Sequence, residues 1–150
     1  MRLRALLLVS LGLFSGACSG KVTAPDALPK QEMILAGVRV TLEANLVRDF
    51  MPMAPADGRP MLATFTVRSA DGVPLPAGLV MTSAAITFGG ETWRSTPAIV
   101  PMSDPTILMG QSRDGPKWGP GGSADVVVTL EAGGARGQLG AAQQPIRRTD

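Results

Sequence analysis

Residues 38–47, VRVTLEANLV, constrain what this chain can fold into more than any other stretch. Val38, Val40, Leu42, Ala44 and Leu46 alternate with Arg39, Thr41, Glu43 and Asn45. A period of two with one apolar face predicts a half-buried strand, because on a helix the same apolar positions would wrap around the whole circumference. Residues 61–67 repeat the pattern with Met61, Ala63, Phe65 and Val67 on one face. Residues 124–131 repeat it again, with Val126, Val128 and Leu130 against Asp125, Thr129 and Glu131, and Val127 as the one apolar residue on the outer side.

Between these runs the chain is punctuated by turn chemistry. Pro52, Pro55 and Pro60 with Asp57-Gly58 make residues 50–60 a loop, since proline removes the donors a strand ladder needs. Asp71-Gly72, Pro74 and Pro76 break the chain before a Thr- and Ala-rich strand over 79–88. Gly89-Gly90 predicts a hairpin into residues 91–94, where Trp93 is expected to pack on a sheet face. Pro97, Pro101 and Pro105 predict a loop, followed by a short strand over 106–111 and an irregular stretch over 113–123. Gly133-Gly134 predicts a second hairpin with its return arm over 136–142. Pro145 demotes residues 143–149 to an edge strand at best.

About seven or eight short antiparallel strands at near-regular spacing, with no amphipathic helix, predict an all-β fold, a single β-sandwich. In architecture this is similar to the immunoglobulin-like and fibronectin type III-like group, although the Cys and Trp spacing of antibody domains is absent. Such a likeness implies no function.

The N-terminal region supplies a different kind of signal. Arg2 and Arg4 precede an apolar run from Ala5 to Phe14, and Ser15-Gly16-Ala17 precedes Cys18, the only cysteine. That three-part order is the pattern of a secretory signal, and its apolar run is too short to span a bilayer. With a cysteine at the small-residue step it resembles the lipobox of bacterial lipoproteins. The resemblance implies cleavage before Cys18 and lipid attachment to it. Where the family prefers Leu three residues before the cysteine, this chain has Ser15. The expected organisation is therefore a signal peptide over 1–17, a flexible tether over 18–32 with Pro25 and Pro29, and a β-domain over 33–150. Ser19 directly after the cysteine, in place of Asp, is similar to the outer-membrane sorting pattern of enteric bacteria. It implies an envelope location facing the periplasm where two membranes exist.

Charge narrows the partners. The chain has 14 basic and 12 acidic side chains. Loss of Arg2 and Arg4 with the leader balances them, and no basic run follows Cys18, so nucleic acid is excluded as an expected partner. The membrane, reached through the N-terminal lipid, is the expected one. Catalysis is not expected either. Nucleophilic mechanisms usually need a neighbouring base, most often histidine, and the sequence has no histidine. The lysines Lys21, Lys30 and Lys117 form no Ser-x-x-Lys spacing. The acids are scattered over turns (Asp57, Asp71, Asp114) and outward strand positions (Glu43, Asp125, Glu131). Asp104, Asp114 and Asp125 do not match the dense acids of a calcium loop. No catalytic residue, metal ligand or cofactor is therefore assigned.

Two features remain as binding candidates. Met51 and Met53, with Met61 close behind and Met102 and Met109 later, offer soft thioethers of the kind that hold Cu(I), although methionine also fills core gaps. Trp118, flanked by Lys117 and close to Arg113, could anchor an envelope protein or a glycan, or could fold back to plug the open end of the sheet. The expected function is a lipid-anchored cell-envelope binding or accessory module. A Met-based copper carrier and glycan or ligand binding through Trp118 are the alternatives.

Overall fold

The computed structural model describes residues 27–150; the leader, Cys18 and most of the expected tether lie outside them. Nine strands follow in order: β1 (Glu32–Leu35), β2 (Val38–Asp49), β3 (Met61–Ser69), β4 (Val80–Phe88), β5 (Glu91–Ser95), β6 (Ala98–Val100), β7 (Ile107–Gly115), β8 (Ser123–Ala132) and β9 (Ala135–Thr149). The fold is all-β, as expected. Its strands run β5-β4-β8-β9-β2-β3-β7-β6, with β1 alongside β2. This is one sheet curled into a half-barrel, rather than two separate sheets of a sandwich.

Two devices curl it. Strands β5 and β6 are the two ends of the order, yet only Thr96 and Pro97 separate them in sequence. β5 runs antiparallel to β4, β6 runs antiparallel to β7, and β4 and β7 point the same way. A single run of chain therefore leaves one end of the sheet and joins the other. Proline suits that crossing, where its missing N–H interrupts no ladder. The close approach is fitted by glycines. A Cβ on Gly115 would lie 2.6 Å from the Trp93 ring, and one on Gly110 would lie 2.8 Å from the Met81 sulfur. Ser95 Oγ donates to Ser112 Oγ at 2.7 Å across the same seam.

The second device is β9. It pairs antiparallel with β8 from Ala135 to Pro145, then parallel with β2 from Ile146 to Thr149. Residues 143–149 are thus an interior corner of the sheet and not an edge. Pro145 is tolerated because the register shifts just before it. Gln143, at φ 51°, turns its N–H to the Asp125 carboxylate at 2.8 Å, and ladder donation resumes when Ile146 N–H reaches the Gly122 carbonyl.

Three other expectations are corrected. The tether ends earlier than predicted, because residues 28–31 lie on the sheet: Gly140 N–H donates to Lys30 O, and Leu42 N–H to Gln31 O. β1 then turns at Ala36-Gly37, both with positive φ, into β2. Residues 98–100 form β6 in place of loop, since three residues between Pro97 and Pro101 are too few to show a period. β7 extends through Arg113 to Gly115, leaving only 116–122 irregular. Both predicted glycine hairpins are present, with positive φ at Gly89, Gly90, Gly133 and Gly134.

The inward face carries Val40, Leu42, Leu46, Phe65, Val67, Ile86, Val126, Val128, Leu130, Leu139 and Ile146, all buried. Each such aliphatic or aromatic side chain contributes about 1.5–3 kcal/mol by leaving water. Strand directions define two poles. Loops 50–60 and 116–122, the turn at 89–90 and the C-terminus gather at the upper pole. The turns at 36–37, 70–79, 101–106 and 133–134 gather at the lower one. Among the described residues no helix is long and apolar enough to cross a membrane.

Candidate functional site

The upper pole is organised by a residue that charge alone would place outside. In β2 the inward phase of Val40, Leu42 and Leu46 continues to Arg48, whose side chain is 2 % exposed. Burying a guanidinium is costly unless its donors are met. Nε donates to the Arg59 carbonyl at 2.6 Å, Nη1 to the Trp118 carbonyl at 2.7 Å, and Nη2 to the Asp57 carbonyl. Both flanking loops are thereby tied to one fork of donors. Phe50 lies between two cations, with Arg48 Cζ 5.2 Å and Arg148 Cζ 4.2 Å from its ring centre.

Trp118 holds the same pole from above. Its ring is 8 % exposed, stacks on Phe88 with ring centres 5.4 Å apart, and donates Nε1–H to Glu91 Oε2 at 2.8 Å. Gly122 lets Phe88 approach: a Cβ there would lie 2.4 Å from the ring. Trp118 is therefore the plug of the half-barrel and not an exposed anchor. Trp93, expected on a sheet face, lies over Gly115.

Lys117 and Arg113 are exposed beside this plug. Lys117 Nζ reaches Asp57 Oδ2 at 2.6 Å and joins the two loops a second time. The Lys117 hydrogen bond holds the Asp57 carboxyl below the usual carboxylate range. Arg113 donates to Gln111 Oε1 at 3.2 Å and lines two open concavities, one with Ser95, Thr96 and Ile99 and one with Asp49, Arg59 and Leu62. Lys117 thus presents its charge on the loop that Arg48 holds, and Arg113 presents its own from the end of β7.

The methionines are not brought together. Met51 and Met53 are exposed in the 50–60 loop, Met61 is fully buried below it, Met109 lies in mid-β7, and Met102 is at the lower pole. The acids considered for calcium also separate. Asp104 accepts from Thr106 N–H and Oγ1–H, which keeps its carboxyl below the usual range, while Asp125 accepts from Gln143. Among the described residues no group of three or more His, Cys, Asp or Glu side chains could hold a metal ion. Sequence reasoning missed Arg48. Its signal was a charged residue in phase with the buried face at the end of the clearest strand.

Comparison with protein-family models, with curated proteins and with solved structures finds no match to this chain.

Proposed function

We propose that this chain is a lipid-anchored protein of the bacterial cell envelope whose β-domain binds another envelope component and catalyses no reaction. The single observation that carries the reading is the order in residues 1–18: cations, a short apolar run, small residues, then Cys18. The sorting pattern at Ser19 supports an outer-membrane location in a two-membrane cell. The domain is similar to the immunoglobulin-like and fibronectin type III-like group in its all-β strand content, a likeness of architecture alone. For binding, the supporting feature is the upper pole. There exposed Lys117 sits on a loop tied down by the Arg48 and Trp118 hydrogen bonds and exposed Arg113 on the end of β7, so little order has to be gained on binding. Its partner is an envelope protein or glycan.

The test is metabolic labelling with an alkynyl fatty acid in a bacterial host, comparing the full-length chain with Cys18→Ala. Label on the parent chain in the membrane fraction and none on the variant is the expected result. Equal labelling, or none on either, would sink the anchor.

A further inference from the structure

Among the described residues the thioethers divide sharply by exposure. Met53 is 88 % exposed, Met51 49 % and Met102 42 %, whereas Met61 is fully buried and Met81 nearly so. Met33 and Met109 lie between these extremes. The fold walls in the less exposed sulfurs. A Cβ on Gly110 would lie 2.8 Å from the Met81 sulfur, and one on Gly137 would lie 2.8 Å from that of Met33. Met51 and Met53 belong to the 50–60 loop, and the contacts that fix this loop pass through other groups. Arg48 takes the backbone carbonyls of Asp57 and Arg59, and Gly58, at φ 75°, lies against the Phe50 ring. Met51 contributes its backbone, its N–H donating to Asp49 Oδ1 at 2.9 Å and its carbonyl accepting from Ala54 N–H at 2.7 Å. The two side chains are left facing water on a loop whose backbone is tied down.

We propose that Met51 and Met53 form a reversible oxidation site, converted to sulfoxides by hydrogen peroxide and restored by a thiol-dependent methionine sulfoxide reductase. The inference stands on these exposures and contacts and does not need the lipoprotein reading. In the forward step the sulfur lone pair attacks one peroxide oxygen and the O–O bond breaks. The departing hydroxide takes up the remaining peroxide proton and leaves as water, and sulfur gives up the two electrons that the peroxide gains. In the return step two reductase thiols become a disulfide and the sulfoxide oxygen leaves as water. Oxidation turns a flexible apolar side chain into a polar one. At Met51 and Met53 it therefore changes the surface of the upper pole from apolar to polar, while the loop backbone stays where Arg48 holds it. The same oxygen on Met61 or Met81 would have to be forced into a close-packed core, so oxidation there requires the fold to open. Met102 carries the same chemistry singly at the lower pole.

The test treats the full-length folded protein with hydrogen peroxide and follows each methionine by peptide mass spectrometry. Met53 should oxidise first and Met51 next, both at least about tenfold faster than Met61 and Met81. A Met102→Leu background isolates the loop for the second measurement, thermal unfolding of protein oxidised at both loop positions. Its midpoint should match that of the unoxidised chain, as should that of Met51→Leu with Met53→Leu. Methionine sulfoxide reductases of both epimer specificities, with a thiol reductant, should then return the folded protein to its starting mass. Met61 or Met81 oxidising as fast as Met53 would show that the fold does not select the site. A midpoint that falls on loop oxidation would show that the thioethers hold the fold, and sulfoxides that the reductases leave on the folded chain would end the claim of reversibility.

Discussion

Arg48 Nη1 donates to the backbone carbonyl of Trp118 at 2.7 Å across 70 positions of sequence, and through that bond the first long strand holds the last irregular loop. The same guanidinium reaches the carbonyls of Asp57 and Arg59. One buried cation thus fixes both loops of the upper pole without a carboxylate contact of its own.

Replacing Arg48 with Met should cost about 1–3 kcal/mol, because three carbonyls, one buried and two partly buried, would lose their charged donor. Arg48→Lys should recover only part of this, since an ammonium cannot fork to three separated oxygens. Urea unfolding gives the numbers. A midpoint unchanged in Arg48→Met would mean that the loops are held by other contacts.

Trp118 separates stacking from hydrogen bonding. Trp118→Phe keeps a ring on Phe88 and loses the donor to Glu91, an expected cost of about 1 kcal/mol. Trp118→Ala empties the plug and should cost about 3–5 kcal/mol. Equal losses in the two variants, measured by thermal unfolding, would deny the stack its role.

The β5–β6 seam depends on small residues in β7. Gly115→Ala should destabilise by about 1–3 kcal/mol, because its methyl would meet the Trp93 ring at 2.6 Å. Trp93→Leu should cost less in the Gly115→Ala background than in the parent chain. A double-mutant cycle without coupling would show that the ring does not rest on β7.

Acid should loosen the upper pole slightly. The hydrogen bond from Lys117 lowers the Asp57 carboxyl, so its contribution is present above the unfolded value of about 3.9 and is lost as pH falls through the folded value. Solvent exposure of the pair keeps this effect small. Carbon NMR of Asp57 should show the titration rising toward about 3.9 in Lys117→Met. An unmoved titration would detach the two residues.

Alternation made β2, β3 and β8 legible, because each buries one face and a period of two records which. Both glycine hairpins were equally legible from the need for positive φ. Proline misled at two places, each for a local reason: β6 is an edge strand trimmed by Pro97 and Pro101, and Pro145 follows directly on a register shift in the β8–β9 ladder. The half-barrel itself was hidden because curling depends on which strand ends meet, and residues 96–97 carry no mark of that. Of the candidate site, Lys117 and Arg113 are exposed as their chemistry suggests, and Trp118 takes the plug alternative. The loop that carries Lys117 and Trp118 is held through a backbone carbonyl, which side-chain motifs do not reveal.

The most direct measurement of the lipid anchor and the binding role together is a native mass spectrum of the full-length chain, extracted in mild detergent from a bacterial host. Expected is a polypeptide beginning at Cys18 that carries acyl chains and retains an envelope component. A chain beginning elsewhere without acyl groups would contradict the anchor. An acylated chain that never retains a protein or glycan under these conditions would contradict the binding role.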